Sequence, residues 1–487
     1  MKRNKTHKQV FWFTIINYVG VVIGVISTVF IYPYDKEFLG MVRYVDSMAQ
    51  MLFPIMVFGG AQALIHFYPS LTKHNKNRLF KYGIVTVLGL SLVILVVLLF
   101  GKTFIDWDNY KYVFYAFPLA FSLAFVELFK RQATNIEKLE IPTLYEKIIP
   151  KVSLPIIFLL LIAEHLDKIS ALVAFIGSYF ILLLLMVLYV LRHYRLHSGY
   201  NFKSLFNEVP KMEYYKYSFY SFLGSFGALF AFRIDAFMIP EFLSFEANGT
   251  FNIGVALATS LAIPATGMFA IYAPKISAYL KNDGIVELGK KYIETAKLLF
   301  FIGAILYTAV ILGIESFFRM LPTYDNLVDS IPIIMLLGFN VLFNMSTGFN
   351  SEIISYSKYY RFNIIAILVL SVLNICLNLF FLTQTNLGII GVAYASLIAM
   401  ISFNCSKLIF IHKKFGILPF DKNYLKLIGM VSVVFLICYL LPENSSTVLN
   451  LLLKVGLNTC VIILVTYKME WVYSLNYWVD KLIKPDK

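Results

Sequence analysis

Residues 82–100 read YGIVTVLGLSLVILVVLLF, nineteen positions without one charged side chain. As a helix rising 1.5 Å per residue, such a run reaches about 28 Å, close to the roughly 30 Å hydrocarbon core of a bilayer. Working outward from it, comparable runs lie at 11–31, 45–67, 111–129, 148–164, 169–191 and 217–240. A second set lies at 251–273, 296–314, 328–350, 362–382, 388–411, 424–441 and 448–467. The fold expected is an all-α integral membrane protein with about fourteen transmembrane helices. Composition agrees: of 487 residues 59% are hydrophobic and 14% charged, where a soluble domain carries about 25% charged residues. A chain so poor in charge cannot cover a water-facing surface, which excludes a soluble multidomain enzyme, a disulfide scaffold and a disordered protein.

The formal net charge of +14 raises nucleic acid as a partner, but the basic residues occupy short loops between apolar runs and form no continuous patch. Counted by alternate loops, 30 Lys and Arg lie on the side of the N-terminus and 5 on the other, with 7 inside or at the edges of the runs. By the positive-inside rule both termini are expected in the cytoplasm, the chain sitting in a bacterial inner membrane. The basic N-terminus leads into an apolar run with no small-residue cleavage site, read as a first span and not as a removed signal. Cys376, Cys405, Cys438 and Cys460 all fall in apolar runs without metal-ligand spacing and are expected as small buried hydrophobes.

The outer loops, such as 164–168, 383–387 and 442–447, leave no room for an external domain. The longest polar stretch, 192–216, is expected inside the cell. It divides the chain into an N-lobe over 1–200 with spans one to six, a linker over 201–216, and a C-lobe over 217–415 with spans seven to twelve. Residues 416–487 hold spans thirteen and fourteen and a tail. The two six-span blocks repeat a motif: EFLGMVRY (37–44) runs on to Pro54, and EANGTFNI (246–253) runs on to Pro264, with the glycine-to-proline distances one residue apart. An even number of spans per block makes the repeat parallel, a transporter design with the substrate path between halves.

Several stretches carry a family resemblance. NYVGVVIG (17–24), FLGM (38–41), GGAQALIHFYP (59–69), RIDAFMI (233–239), GTFNI (249–253) and APKIS (273–277) occur in order, followed by NSEIISYSKYYRFN (350–363), NICLN (374–378) and GIIGVAYAS (388–396). Together, across about residues 10–415, they resemble the polysaccharide-type flippases of the multidrug/oligosaccharidyl-lipid/polysaccharide exporter superfamily. The segment LTQTNLG (382–388) lacks the proline common there, and Gly-Val-Ala stands where many members show Gly-Ala-Ala. The resemblance implies two six-helix lobes around a cavity that opens alternately to each face. For Wzx-type members it implies outward movement of undecaprenyl-pyrophosphate-linked oligosaccharide for O-antigen, capsule or exopolysaccharide. A polysaccharide polymerase and chain-length machinery would then be partners, together with membrane lipids, and a monomer would suffice.

Charges inside a bilayer are costly and mark pathways. Arg233 and Asp235 lie toward the outer end of span seven, about 200° apart around the helix, and so cannot pair well with each other. The expectation is that Arg233 lines the path and meets a diphosphate with its guanidinium fork, while Asp235 pairs with another helix or carries a coupling ion, H+ or Na+. Asn340 and Asn344 share one face of span ten, and Asn374 and Asn378 one face of span eleven, by their i,i+4 spacing. With Asn17 in span one and Gln62 in span two they form a candidate sugar-binding set, helix glue being the competing reading. Lys426 and Lys454 are expected to snorkel, Glu127 to pair with Lys130 or Arg131, and His66 to sit at an interface.

No catalytic motif, nucleotide loop, metal-ligand set or cofactor site is legible, so the chain is expected not to be an enzyme. The alternatives are a lipid II flippase, whose members resemble one another in an arginine-bearing first helix, then a drug or cation antiporter, then a membrane O-chain polymerase. Span one here, 11–31, carries no charge.

Overall fold

A computed structural model describes residues 19–104, 106–196, 201–281, 284–442 and 446–483. They divide into two compact units, Met1–Asn252 and Ile253–Lys487. The first holds α1 (Val19–Phe30), α2 (Lys36–Val57), α3 (Gly60–Phe67), α4 (Lys73–Gly101), α5 (Tyr110–Asn135), α6 (Glu140–Ile162), α7 (Lys168–His193), α8 (Lys203–Glu208), α9 (Lys211–Phe242) and the first half of α10 (Phe245–Ser260). The second holds the rest of α10, then α11 (Ile263–Lys281), α12 (Ile285–Phe318), α13 (Tyr324–Leu327), α14 (Ile331–Ser346), α15 (Asn350–Tyr356), α16 (Tyr360–Gln384), α17 (Gly388–Phe415), α18 (Lys422–Tyr439), α19 (Thr447–Lys468) and α20 (Tyr473–Ile483).

The protein is an all-helical, multi-span membrane protein. Among the described residues nine helices are long and apolar enough to cross a membrane, or twelve if each of three bent helix pairs is one span. The fourteen runs read from the sequence exceed that number at two places. The first run, 11–31, lies only in part within the described residues, and its described part, α1, joins α2 across a 52° bend. The fifth run lies on α6, which carries Glu146, Lys147 and Lys151 together with Pro150 and Pro155 and is too polar to stand as an apolar span.

Helix starts follow local chemistry. Asp35 accepts a hydrogen bond from the Phe38 amide at 2.8 Å, capping α2, and Asp421 does the same for Tyr424 at 2.7 Å, capping α18. Asp167 caps α7 through the amides of Ile169 and Ser170; the hydroxyl and amide of Ser170 hold its carboxyl below the usual range. The lipid-facing helices show the inverse of a soluble pattern. On α4, Leu92 and Val97 are each 62% exposed, which is stable where the surrounding medium is acyl chain.

In the first unit α2 is the core helix: Phe38, Val42, Tyr44, Val45 and Ala49 are buried, and the helix packs on α5 and α9. The motif that repeats in sequence meets itself in space. A Cβ on Gly40 would lie 1.7 Å from the Phe245 carbonyl oxygen, and one on Gly249 would lie 1.9 Å from the Lys36 carbonyl oxygen. The two repeat-related glycines thus let α2 and α10 cross with backbones in contact. Asn248 donates to the Gly40 carbonyl at 2.9 Å and Lys36 pairs with Glu246 at 3.2 Å, closing the crossing.

The stretch 201–216 belongs to the first unit. Its helix α8 is tied to α4: Glu208 accepts from the Thr72 amide at 3.0 Å, the Thr72 hydroxyl at 2.8 Å and the Asn75 amide at 2.6 Å. These donors, the Thr72 amide foremost, hold the Glu208 carboxyl below its ordinary range.

The second unit has an apolar core of Leu298, Phe301, Leu312, Leu427, Val431 and Ile462 from α12, α18 and α19. Polar links cross it where apolar packing alone gives no preference between lipid and protein. Asn458 donates to Thr308 at 2.8 Å, the Tyr424 hydroxyl donates to the Ser346 carbonyl at 2.9 Å, and Lys297 meets Asp421 at 2.8 Å.

Candidate functional site

The site in the first unit begins with a broken helix. Pro54 removes a backbone donor from α2, and four residues later Phe58 (φ 44°), then Gly59 (φ 71°), turn left-handed, ending α2 and starting α3. Only glycine fits at 59: besides the positive φ, a Cβ there would lie 2.0 Å from the Ser218 carbonyl oxygen of α9. Beside the break lies a cavity of about 280 Å³ whose lining includes Phe53, Gln62, Glu127, Arg131, Phe222 and Ser225. The Gln62 amide donates to Ser225 at 3.3 Å. Glu127 accepts from Arg131 Nε at 2.7 Å and meets its terminal nitrogen at 2.6 Å. That pairing engages one edge of the guanidinium; the other terminal nitrogen keeps donors for an anion.

A chain of charges continues from this cavity through the unit. One turn beyond the cavity-lining Leu229, Arg233 lies 3.6 Å from Asp46 of α2, whose carboxylate also accepts from Gln50 at 3.4 Å. Asp46 is 6% exposed while the Arg233 side chain keeps 39% of its surface. The half-buried Tyr179 of α7 lies in electrostatic range of Asp46, Arg43, Arg233 and Glu146. Glu146 of α6 pairs with Lys130 of α5 at 2.6 Å. One turn along α6, Lys147 and Lys151 are half-buried, and neither forms an ion pair among the described residues. Lys151 lies against α1, where a Cβ on Gly20 would come within 3.1 Å of its stem. Six basic side chains (Arg43, Lys130, Arg131, Lys147, Lys151, Arg233) stand against four acids (Asp46, Glu127, Glu146, Asp235), an excess of positive charge along this stretch of the helices. A second, polar cavity of about 530 Å³ is lined by Asp106, Trp107, Asp108, Asn109, Pro240 and Glu241. Its Glu241 is fixed by donors from Tyr44, from Trp107 at 2.6 Å and from Asn109 at 3.2 Å.

Of the residues singled out in sequence, the structure joins Arg233 to Asp46 and sets Gln62 in the cavity wall. Asp235 is half-buried on α9. Asn17 lies outside the described residues. Asn374 and Asn378 are 3% and 0% exposed, enclosed within the second unit, while Asn340 and Asn344 on α14 are half-buried; the Asn340 carboxamide oxygen has no hydrogen-bond partner among the described residues. His66 stacks on Tyr217 at 4.1 Å.

The sequence reading assigned no role to Asp46, Arg43, Lys147 and Lys151, although each is a charge beside or inside an apolar run. It also passed over Lys407 of α17, which is 1% exposed. The Lys407 ammonium donates to the Ser351 hydroxyl at 2.7 Å and lies 3.8 Å from the centroid of the Phe403 ring. Around it, Asn350 donates to Thr347 at 2.9 Å and to Asn404 at 3.0 Å. Burial raises the carboxyl of neighbouring Glu352, an effect that the Lys407 charge opposes. Among the described residues no group of three His, Cys, Asp or Glu could hold a metal ion.

No family model matches this chain, and no curated protein matches it. Solved structures do. A lipid II flippase, MurJ, in an inward closed conformation aligns over 94% of this chain and 98% of its own, with a TM-score of 0.66 and 14% identity. An inward-facing multidrug resistance MATE family transporter of the MOP superfamily aligns over 83% and 98%, with a TM-score of 0.64 and 14% identity. A MATE transporter in complex with MaD3S aligns over 84% and 96%, with a TM-score of 0.54 and 15% identity. At this level of identity the likeness is one of fold: the chain shares the all-helical, multi-span fold of these membrane proteins.

Proposed function

We propose that the chain is a flippase that moves undecaprenyl-pyrophosphate-linked oligosaccharide repeat units from the cytoplasmic to the outer leaflet by alternating access. The observation that carries this is the surplus of basic side chains inside the first unit. Lys147 and Lys151 without ion-pair partners, and a guanidinium at Arg131 with donors to spare, suit a multiply charged anion far better than a cationic drug. Arg233, held by Asp46 yet partly open, would take a phosphate oxygen in exchange for that carboxylate. Gln62 and Ser225 would meet sugar hydroxyls; Asn340 and Asn344 are amides of the second unit suited to the same chemistry. The uneven loop charge supports an inner-membrane protein with both termini in the cytoplasm. A polymerase and chain-length machinery would act on the product outside. Asp235 is a candidate carrier for a coupling ion, H+ or Na+.

The test is a gene deletion analysed for lipid-linked intermediates and surface polysaccharide. Loss of surface glycan with undecaprenyl-linked repeat units accumulating on the cytoplasmic face is the expected result. Unpolymerised repeat units on the outer face would instead point to a polymerase. Normal glycan with reduced dye or drug efflux would point to an antiporter.

The second reading is a lipid II flippase, favoured by the alignment over nearly the whole length of one. The two substrates share the lipid pyrophosphate, so the basic cluster suits both. Accumulation of lipid II, with intact surface polysaccharide and failing cell-wall synthesis on depletion, would decide for the second.

A further inference from the structure

The helix α20 is not explained by transport. It starts four residues after α19 ends at Lys468, and α19 is one of the nine helices able to cross the membrane. Hence α20 lies at the boundary between membrane and water, whichever side that is. One face is buried in the second unit: Leu475 is 9% exposed, and together with Val472 just before the helix, 2% exposed, it joins the core formed by α12, α18 and α19. Two hydrogen bonds hold the helix against the end of α19. Asn476 donates to the Tyr467 carbonyl at 2.8 Å, and the Tyr467 hydroxyl donates to Asp480 at 2.8 Å.

The opposite face is what a water-facing helix should not have. At 100° per residue, Tyr473, Tyr477, Lys481 and Trp478 fall within an arc of about 140°. The three rings are 73%, 54% and 52% exposed, and Lys481 stands among them, with Lys468 exposed at the end of α19. Large rings with one polar edge, flanked by lysines, are the composition that partitions into the headgroup layer of a bilayer.

We propose that α20 lies in the plane of the membrane, its Tyr473, Tyr477 and Trp478 face seated in the phospholipid headgroup layer and Lys481 at the lipid phosphates. The occupant of this face is the bilayer itself because the helix is pinned at the end of a membrane-crossing helix with its aromatic arc turned away from the protein. The helix then acts as a strut, fixing the ends of α18 and α19 at a set depth.

The full chain in nanodiscs of phosphatidylcholine and phosphatidylglycerol tests this through tryptophan emission. Trp478→Phe isolates the Trp478 signal by difference, and because the ring is half exposed the substitution leaves the core untouched. Lipids brominated near the glycerol backbone should quench the difference signal more than lipids brominated near the chain ends, and acrylamide in the buffer should quench it little. Tyr473→Trp on the same face should add a second signal with the same depth order. Quenching by acrylamide alone would place the face in water and overturn the proposal. Quenching by neither would mean that protein, a second copy or another partner, covers it, and would overturn the proposal equally.

Discussion

The interiors of the two units carry different kinds of polarity. The first is charged: Arg43, Asp46, Glu127, Arg131, Glu146, Lys147, Lys151 and Arg233 run along α2, α5, α6 and α9, with Glu127 and Arg131 lining a cavity at the break between α2 and α3. The second is mostly amides and hydroxyls, Asn350, Asn374, Asn378, Asn404, Asn458 and Thr308, closed into short hydrogen bonds and burial, with Lys407 and the Asp421-paired Lys297 its enclosed cations among the described residues. A charge inside a bilayer costs more than an amide. An amide that finds a partner helix adds modest attraction there. The difference therefore reads as a division between a unit that keeps charge available for a substrate and one that spends its polar groups on holding helices together.

The sharpest way to break this comparison is through glycine. At Gly249, where a Cβ would meet the Lys36 backbone, Gly249→Val should abolish folded protein. Gly429 on α18 has nothing within 4 Å of a Cβ, so Gly429→Ala should cost nothing and gain up to about 1 kcal/mol of helix propensity. Thermal aggregation of the detergent-solubilised protein measures both. If Gly249→Val folds normally, the helix crossing is not the fixed point described above.

Next comes the charged set. Arg233→Met should lower translocation at least about tenfold, a loss of about 1.4 kcal/mol or more in the transport barrier, and should also leave Asp46 buried without its cation. The double variant Arg233→Met/Asp46→Leu should recover stability but not transport. Recovery of transport as well would make the pair a packing lock.

In the second unit, Lys407→Met replaces an enclosed ammonium by an apolar chain of similar length. Trading a buried charge for matched apolar volume is often neutral; the variant should stay within about 1.5 kcal/mol of the parent and keep transport. A loss of transport with intact folding would move Lys407 into the mechanism and erase the contrast between the units.

The smallest effect concerns pH at the contact between α8 and α4. Glu208 is held below its unfolded value, so the contact stabilises above that value and is lost as pH falls through the lower, folded one. Amide exchange at Thr72 should speed up across that acidic window, and Glu208→Gln should show raised exchange at neutral pH already.

Much of the fold was legible before any coordinates. The nineteen uncharged residues at 82–100 became α4, and the glycine and proline recurring at 40 and 54, then at 249 and 264, marked real landmarks on α2, α10 and α11. Against about fourteen spans read from the sequence, nine to twelve are found among the described residues, because α6 carries three charges and the described part of the first run is counted with α2 as one bent pair. The site was half legible. Arg233 stood out as an intramembrane arginine, and Gln62 as an amide in an apolar run. Asp46, Lys147 and Lys151 were given no role, since a linear hydropathy profile assigns each residue to a loop or a span and cannot show which way its side chain faces.

By itself the sequence determined the class of molecule and the position of most helices. Transfer of a helix into lipid is set by its own length, apolar content and charge, all of them local quantities. Tertiary structure alone decided that Gly40 and Gly249 meet at one crossing, that Arg233 answers Asp46 across 187 positions of chain, and that Phe58 and Gly59 open a break beside Arg131. Those outcomes depend on how each helix is rotated about its axis and on what its neighbours present at the same depth. Within an apolar medium no difference in hydrophobicity fixes that rotation, so it falls to close packing and to a few polar contacts between residues far apart in the chain.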